Sequence, residues 1–361
     1  MSDTLLVEPS ATSPTTRIVG TLLRSREIAV AAVLLVLIVL TTLKSSGFVF
    51  STDGWRNLLV TPALLLILAV GQAVVIITRN VDLSVGSTLG LTAYLTGKVF
   101  IAWPGMPIPF VFLIALAFGG ALGLVNGMLV AYGRVPAMVI TLGTLYIYRG
   151  IFLSWAGSDR VNASDFPKAF NELGTNEIGS IPVVTIIALV VMALVGYYLR
   201  TARGGRELYA IGSDPEAATL YGLPVVRRVL VAFVLSGALA GLAGVVYAAR
   251  YGTVSSGAGV GMELQAVGAA VIGGVAIAGG VGTVWGAALG AVLLITINRA
   301  LPMVGISDFW QRAVVGALII AAIVLDRVLA KRQERQLVAA RDLARRETND
   351  AGPSRKAGTP A

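Results

Sequence analysis

Thr78-Arg79-Asn80-Val81-Asp82-Leu83-Ser84-Val85-Gly86-Ser87 sets an arginine, an asparagine and an aspartate between two apolar runs, 57 to 77 and 83 to 101, each long enough to cross a bilayer. A charged group at or near membrane depth costs several kcal/mol unless it is paired, capped or wetted, so such residues mark a pathway or a working joint. Asp82 reads most simply as a helix N-cap. Its carboxylate would accept from the amides of Ser84 or Val85 and start the third span at its cytoplasmic end. Ser84, Gly86 and Ser87 then give that helix a small-residue face for close packing. Arg79 reads as a side chain that snorkels to the interface. Asn80 has no such outlet and is a candidate for a gate or an interhelical hydrogen bond.

The rest of the chain supports a membrane reading. Of 361 residues 56% are apolar and only 13% charged, and hydrophobic stretches of roughly 16 to 24 residues recur from Ile28 to Leu329. A single soluble domain of this length could not bury so much apolar surface. The chain has no cysteine and no histidine, which excludes disulfides, thiolate or imidazole metal sites, Ser-His-Asp triads and the usual pH switch. Catalysis within this chain is not expected. The basic residues gather beside the spans, where they set orientation, so the net charge of +9 is no argument for nucleic acid.

The expected fold is an all-α polytopic integral membrane protein. About ten transmembrane helices are expected, at 28 to 43, 57 to 77, 83 to 101, 108 to 131, 136 to 155, 181 to 199, 229 to 249, 264 to 280, 283 to 299 and 311 to 329. With that count Arg17, Arg24, Arg26, Arg79, Arg134, Arg200, Arg203, Arg206, Arg227, Arg228, Lys331, Arg332 and Arg335 all fall on one side. By the positive-inside rule both termini are then cytoplasmic. Residues 1–27 form an uncleaved cytoplasmic tail, 28–329 the transmembrane domain, and 330–361 a cytoplasmic tail whose Gly-, Pro- and Ser-rich end is expected to be disordered. The loop 156–180, with Asp159, Asp165, Glu172 and Glu177 against Arg160 and Lys168, is external.

Residues 200–228 form the longest polar stretch on the inner side, and its middle is written like a short free-standing helix. Ser213 and Glu216 have capping-box spacing, Asp214 adds negative charge at the positive helix end, Pro215 suits the first turn, and Gly222 offers a stop. Ala217 and Ala218 are expected to be exposed as small, flat contacts. A connector between two spans does not require a capped helix, whereas a docking element does.

A second glycine-dense joint runs from Ala270 through Gly273, Gly274, Gly280 and Gly282 to Thr283. It lacks the Lys-Ser/Thr ending of a phosphate loop and has no strand before it, so close helix packing is its reading. Glu263, just before this span, is expected near the outer surface. Val75, Ile76, Val85, Gly86 and Gly90 align with Val271, Ile272, Val281, Gly282 and Gly286, a hint of internal duplication with both joints in the same orientation. Gln72, Asn126, Thr141, Thr144 and Asn298 are polar residues within apolar runs and are expected to make interhelical hydrogen bonds.

Three of these regions resemble one family. Thr78 to Ser87, the stretch from Gly205 to Gly222 and the Ile272-Gly273-Gly274 to Gly282-Thr283 joint look like the signature, the coupling-helix region and the glycine joint of the simple-sugar permeases of bacterial ATP-binding-cassette (ABC) importers, the ribose, rhamnose and autoinducer-2 group. Pro136 and the run from Leu142 to Gly150 resemble its rhamnose and autoinducer-2 branch. The resemblance spans Ile28 to Leu329. It implies a multi-pass protein of the bacterial inner or plasma membrane that imports a small polar solute, such as rhamnose, ribose or autoinducer-2. It also implies a second copy or a homologous permease, an ATPase subunit that binds Mg-ATP while this chain binds no cofactor, an extracytoplasmic solute-binding protein, and no nucleic acid. Arg206, Glu207, Ser213, Asp214, Pro215, Glu216, Ala217, Ala218 and Gly222 would then meet the ATPase. Asn80, Asp82, Ser84, Gly86, Ser87, Gly273, Gly274, Gly280 and Gly282 would form the moving joint. The alternatives are an ion-coupled secondary transporter, which would want a carboxylate deep in a span, and an ABC permease for nucleosides or branched-chain amino acids.

Overall fold

A computed structural model describes residues 26–133 and 135–307 and eight further positions between 310 and 324. The two tails, Arg134 and most of the expected span 311 to 329 lie outside the described residues. Helices dominate. In chain order they are α1 (Arg26–Lys44), α2 (Gly47–Phe50), α3 (Thr52–Ile77), α4 (Val85–Ala102), α5 (Ile108–Gly133), α6 (Ala137–Ala156), α7 (Lys168–Thr175), α8 (Val183–Thr201), α9 (Arg203–Ser213), α10 (Pro215–Leu220), α11 (Val225–Tyr251), α12 (Met262–Ile272) and α13 (Val284–Met303). Among the described residues the only sheet is a hairpin pairing Glu177–Ile178 with Ile181–Pro182.

Among the described residues seven helices, α1, α3, α5, α6, α8, α11 and α13, are long and apolar enough to cross a membrane. The chain is therefore an all-α, multi-pass membrane protein. At 18 residues α4 is also long enough, but it carries Ser87, Thr88, Thr92 and Thr96, all buried. Those hydroxyls need partners inside the bundle, and Thr92 and Thr96 find them one turn back on their own helix, at Thr88 O and Thr92 O.

The expected span 264 to 280 is not a span. α12 has 11 residues, a rise of about 16 Å, roughly half of a hydrocarbon core. It stops at Ile272 because Gly274, Gly279, Gly280 and Gly282 all take positive φ, which no helix can continue.

Helix burial explains the layering. From Val60 to Ile77 α3 is apolar nearly all round and almost wholly buried, as a helix surrounded by others must be. α11 crosses beside it and packs on α5 through glycines: a Cβ added at Gly119 would lie 2.8 Å from the Gly241 Cα. α1 lies outside, with Leu35, Leu40 and Leu43 exposed. A second core cluster, including Phe100, Phe152, Phe166 and Phe170, closes the α7 end of the bundle. Because α8 runs as one helix from the hairpin to α9, the α7 segment and the α9–α10 segment occupy opposite ends.

Candidate functional site

The three regions singled out in the sequence meet at the α9 end. α3 ends at Ile77, and the chain turns sharply at Arg79, whose φ of 64° is left-handed and unusual for a residue with a side chain. The turn aims the guanidinium across the joint. Its Nε donates to Gly212 O and its Nη2 to Ser213 O, both at 2.5 Å. These carbonyls close α9, where the free acceptors of a helix C-terminus favour a cation. Gly280 N donates to Ile77 O at 2.9 Å, and Tyr209 OH on α9 donates to Gly282 O at 2.9 Å. Gly279 has no side chain because Arg79 Cγ and Gly212 O occupy that space. Arg79 is thus the tie between the first joint, the second joint and the polar segment. It is exposed, but its guanidinium is held by protein carbonyls, and sequence reasoning missed it as a site residue: its partners lie 133 and 134 positions away and are backbone groups, which leave no trace in a sequence.

Asp82 does cap the backbone at Ser84, but it does so inside the bundle. Its Oδ1 accepts from Ser84 N at 3.0 Å and Ser84 Oγ at 2.7 Å, with Asn126 Nδ2 at 3.4 Å, and its Oδ2 accepts from Ser236 Oγ at 3.2 Å. Gln72 brackets its peptide, donating through Nε2 to Asp82 O and accepting from Asp82 N. Since Gln72 precedes the end of α3 by five residues, Asp82 lies about 7 Å above that end and not at it. The chain re-enters the bundle before α4 begins. Asn126 also donates to Ser84 Oγ at 2.7 Å, Thr141 Oγ1 donates to Val81 O at 3.0 Å, and Tyr148 OH donates to Asn126 Oδ1 and Leu122 O. Gln72, Asn126 and Thr141 therefore serve one knot that holds residues 81–84. Thr144 bonds only within its own helix, to Thr141 O, and Asn298 Oδ1 is buried without a partner. Asn80 makes no interhelical bond either, because its Nδ2 turns back to Thr78.

The remaining joint residues are packing elements. Ser87 Oγ donates to Leu145 O on α6. Gly273 and Gly286 approach backbone to backbone, and Gly274 closes α12 by donating to Val271 O at 2.9 Å. Gly86 adjoins Glu263 and Gly259. Glu263 is not at the outer surface: eleven residues beyond Gly86 on α4, Gly97 packs on Val161 of the α7-side segment, so Glu263 lies about 16 Å inside that end.

The short helix exists, as α10, but Asp214 is its cap. Asp214 Oδ1 accepts from Glu216 N at 3.1 Å and Ala217 N at 3.0 Å, with Pro215 at the first helical position. Ser213 cannot cap because it is the last residue of α9, an 11-residue amphipathic helix that the sequence reading did not resolve. The exposed face differs too. Ala218 is buried and Ala217 is half-buried, whereas Leu220 and Tyr221 are 88% and 87% exposed. Glu216 is exposed, and Gly222 ends the segment at φ 73°.

Arg206 is exposed and bonds Thr201 O, while Glu207 is buried and bridges Arg203 of α9 at 2.8 Å and Arg228 of α11 at 2.5 Å. Glu207 is an internal staple and not a surface for a partner. The Arg228 guanidinium, with that of Arg203, holds its carboxyl below the usual carboxylate range.

Residues 55–323 match the family model described as the branched-chain amino acid transport system permease component. The chain belongs to this family. It is 37% identical over 312 residues to the autoinducer 2 import system permease protein LsrC of Enterobacter sp. (strain 638), covering 85% of this chain and 88% of that one. It is 34% identical over 319 residues to the galactose/methyl galactoside import permease protein MglC of Salmonella typhimurium, covering 83% and 94%. The Escherichia coli (strain K12) MglC matches to the same extent. No solved structure matches. The resemblance read in the sequence is thus established at the level of the family, and the relatives are components of import systems.

Proposed function

We propose that this chain is the membrane-spanning permease subunit of an ATP-binding-cassette importer for a small sugar or sugar-like molecule, in the bacterial inner membrane. Galactose, methyl galactoside and autoinducer 2 are the first solutes to test, because they name the relatives; ribose and rhamnose follow. The α9–α10 end, with Arg200, Arg203, Arg206, Arg227 and Arg228, faces the cytoplasm. The α7 end, with Asp159, Glu172 and Glu177, faces the solute-binding protein. ATP-Mg is held by a separate ATPase subunit that grips α10, and two permease chains line the pathway.

The observation that carries this reading is the pair of hydrogen bonds from Arg79 to the end of α9. It ties the element best placed to meet a motor directly to the re-entrant joint, so that a push on α10 is delivered to residues 78–84 without a flexible intermediate. Alternating access needs such a contiguous two-position element. Asp82 offers an ion-coupled transporter little, since both its oxygens are already engaged by protein donors.

The test uses the cysteine-free background. Leu220→Cys, at the most exposed apolar position of α10, is joined to its neighbours by a short thiol crosslinker in native membranes, and the captured chain is identified by mass spectrometry. Capture of a nucleotide-binding ATPase is the expected result. A cysteine that reacts from the cytoplasm yet captures no ATPase would remove the reading.

A further inference from the structure

A cavity of about 430 Å³ opens on the face formed by α6, the segment 252–261 and the start of α12. Its walls include Leu145, Tyr146, Leu153 and Val260, but Arg149 and Glu263 also line it. Arg149 Nη1 donates to Ala258 O at 2.7 Å, which leaves other guanidinium donors free to face the cavity. Glu263 Oε1 accepts from Gly261 N at 3.1 Å, while its Oε2 is shielded and has no hydrogen-bond partner. Gly86 makes room for that carboxylate: an added Cβ there would collide with it.

A guanidinium and an incompletely bonded carboxylate, about 16 Å inside the bundle, are not compatible with a face that meets lipid tails. They are compatible with a wet pathway. Opposite charges side by side leave the site close to neutral overall, while offering fixed donors on one side and a strong acceptor on the other. Such a pair suits neither a free anion nor a free cation. It suits a molecule that both donates and accepts, through the hydroxyls of a sugar or the ammonium and carboxylate of a zwitterion.

We infer that Arg149 and Glu263 form the station at which this permease contacts its solute during passage. The assignment rests on the importer reading above and deepens it. With Oε2 held away against Gly86, Glu263 Oε1 is the oxygen that accepts from the solute hydroxyls of the importer reading, the guanidinium donates to them, and the apolar wall keeps the contact weak enough for release. Gly86, at the start of α4, places the station directly against the joint tied to α9 by Arg79.

Two measurements test this in membranes containing the whole importer. The first compares Ser256→Cys, at the cavity, with Val190→Cys, exposed on the outside of α8. A membrane-impermeant sulfonated thiol reagent should modify the cavity cysteine at least about tenfold faster, since it enters water and not hydrocarbon. Equal, slow modification of both would overturn the pathway assignment. The second measures uptake of radiolabelled galactose and methyl galactoside by Glu263→Gln and Glu263→Leu, normalised to permease recovered with its partners. Gln keeps an acceptor and should retain part of the uptake, and Leu should lose about tenfold or more. Unchanged uptake in Glu263→Leu would overturn the solute contact even if the cysteine reacts fast. If the unaltered importer takes up neither sugar, that failure belongs to the importer reading or its solute; the uptake comparison is then made with autoinducer 2, while the labelling rates decide whether the cavity is a wet pathway.

Discussion

At the scale of single residues, Asp82 and Arg79 do different work although they lie three positions apart. Asp82 is an acceptor for Ser84, Asn126 and Ser236. Asp82→Asn keeps one acceptor oxygen, and the Ser236 hydroxyl can rotate to accept from the new amide, so uptake and membrane abundance should both fall less than about threefold. Asp82→Leu leaves those donors buried and unanswered, at about 1–3 kcal/mol each, and should abolish stable insertion. Near-normal abundance of the Leu variant on quantitative blotting would contradict the knot.

Arg79→Ala removes the tie without emptying the core, because the guanidinium is only partly buried. The assembled importer should keep hydrolysing ATP while uptake falls about tenfold or more, a loss of linkage and not of fold. Retained uptake would show that the joint moves without it. That these residues mattered was legible, since charge between two apolar runs is conspicuous. Their partners were not: Gln72, Asn126 and Thr141 were visible as misplaced polar residues, but only the fold brings them to residues 81–84.

At the scale of elements, α9 and α10 behave as one rigid bracket held at three places: Arg79 at the end of α9, Tyr209 on Gly282, and the Glu207 staple to α11. The staple carries a pH signature. The Arg228 hydrogen bond, helped by Arg203, lowers the Glu207 pKa, so its contribution is fully present above the ordinary carboxylate range and is lost as pH falls through the lowered value. Hydrogen exchange of the α9 amides, corrected for intrinsic rate, should therefore begin to loosen as pH falls into the usual carboxylate range and go on loosening down to the lowered value. Glu207→Gln should weaken protection at neutral pH and flatten that dependence. Protection unaltered by the substitution would mean that packing of Leu208 and Ile211 alone holds the helix.

The long spans and the capped helix were readable because apolar length, Asp214 and Pro215 are local signals. α9 was hidden behind Arg203-Gly204-Gly205, which reads as loop; in the fold those glycines let α9 lie against Tyr198 and Leu199. α12 was read too long because glycine counts as apolar in a span and as a terminator in a helix.

At the scale of the molecule, two joints of the same sense, α3 to α4 and α12 to α13, meet side by side and share a contact with α9 through Ile77, Gly280 and Gly212. The shared orientation expected from the sequence puts both within reach of α9. The second joint also decides where the energy cannot come from. A glycine-rich loop cradles phosphate only if its amides face an open concavity. Here the space a side chain would take is occupied by the protein itself, by the Gly286 backbone at Gly273, by Arg79 at Gly279 and by Ser213 at Gly280, while Gly280 N is spent on Ile77 O. The loop is a packing surface already in use. Purified permease in detergent should accordingly show no saturable binding of a fluorescent ATP analogue and no hydrolysis at any sugar concentration, and hydrolysis should arise only when its ATPase partner is added. Saturable nucleotide binding by the isolated chain, reversed by Gly280→Ala, would place a nucleotide in this joint. The joint would then be a binding site, and the division of labour between a passive conduit and a separate motor would fail.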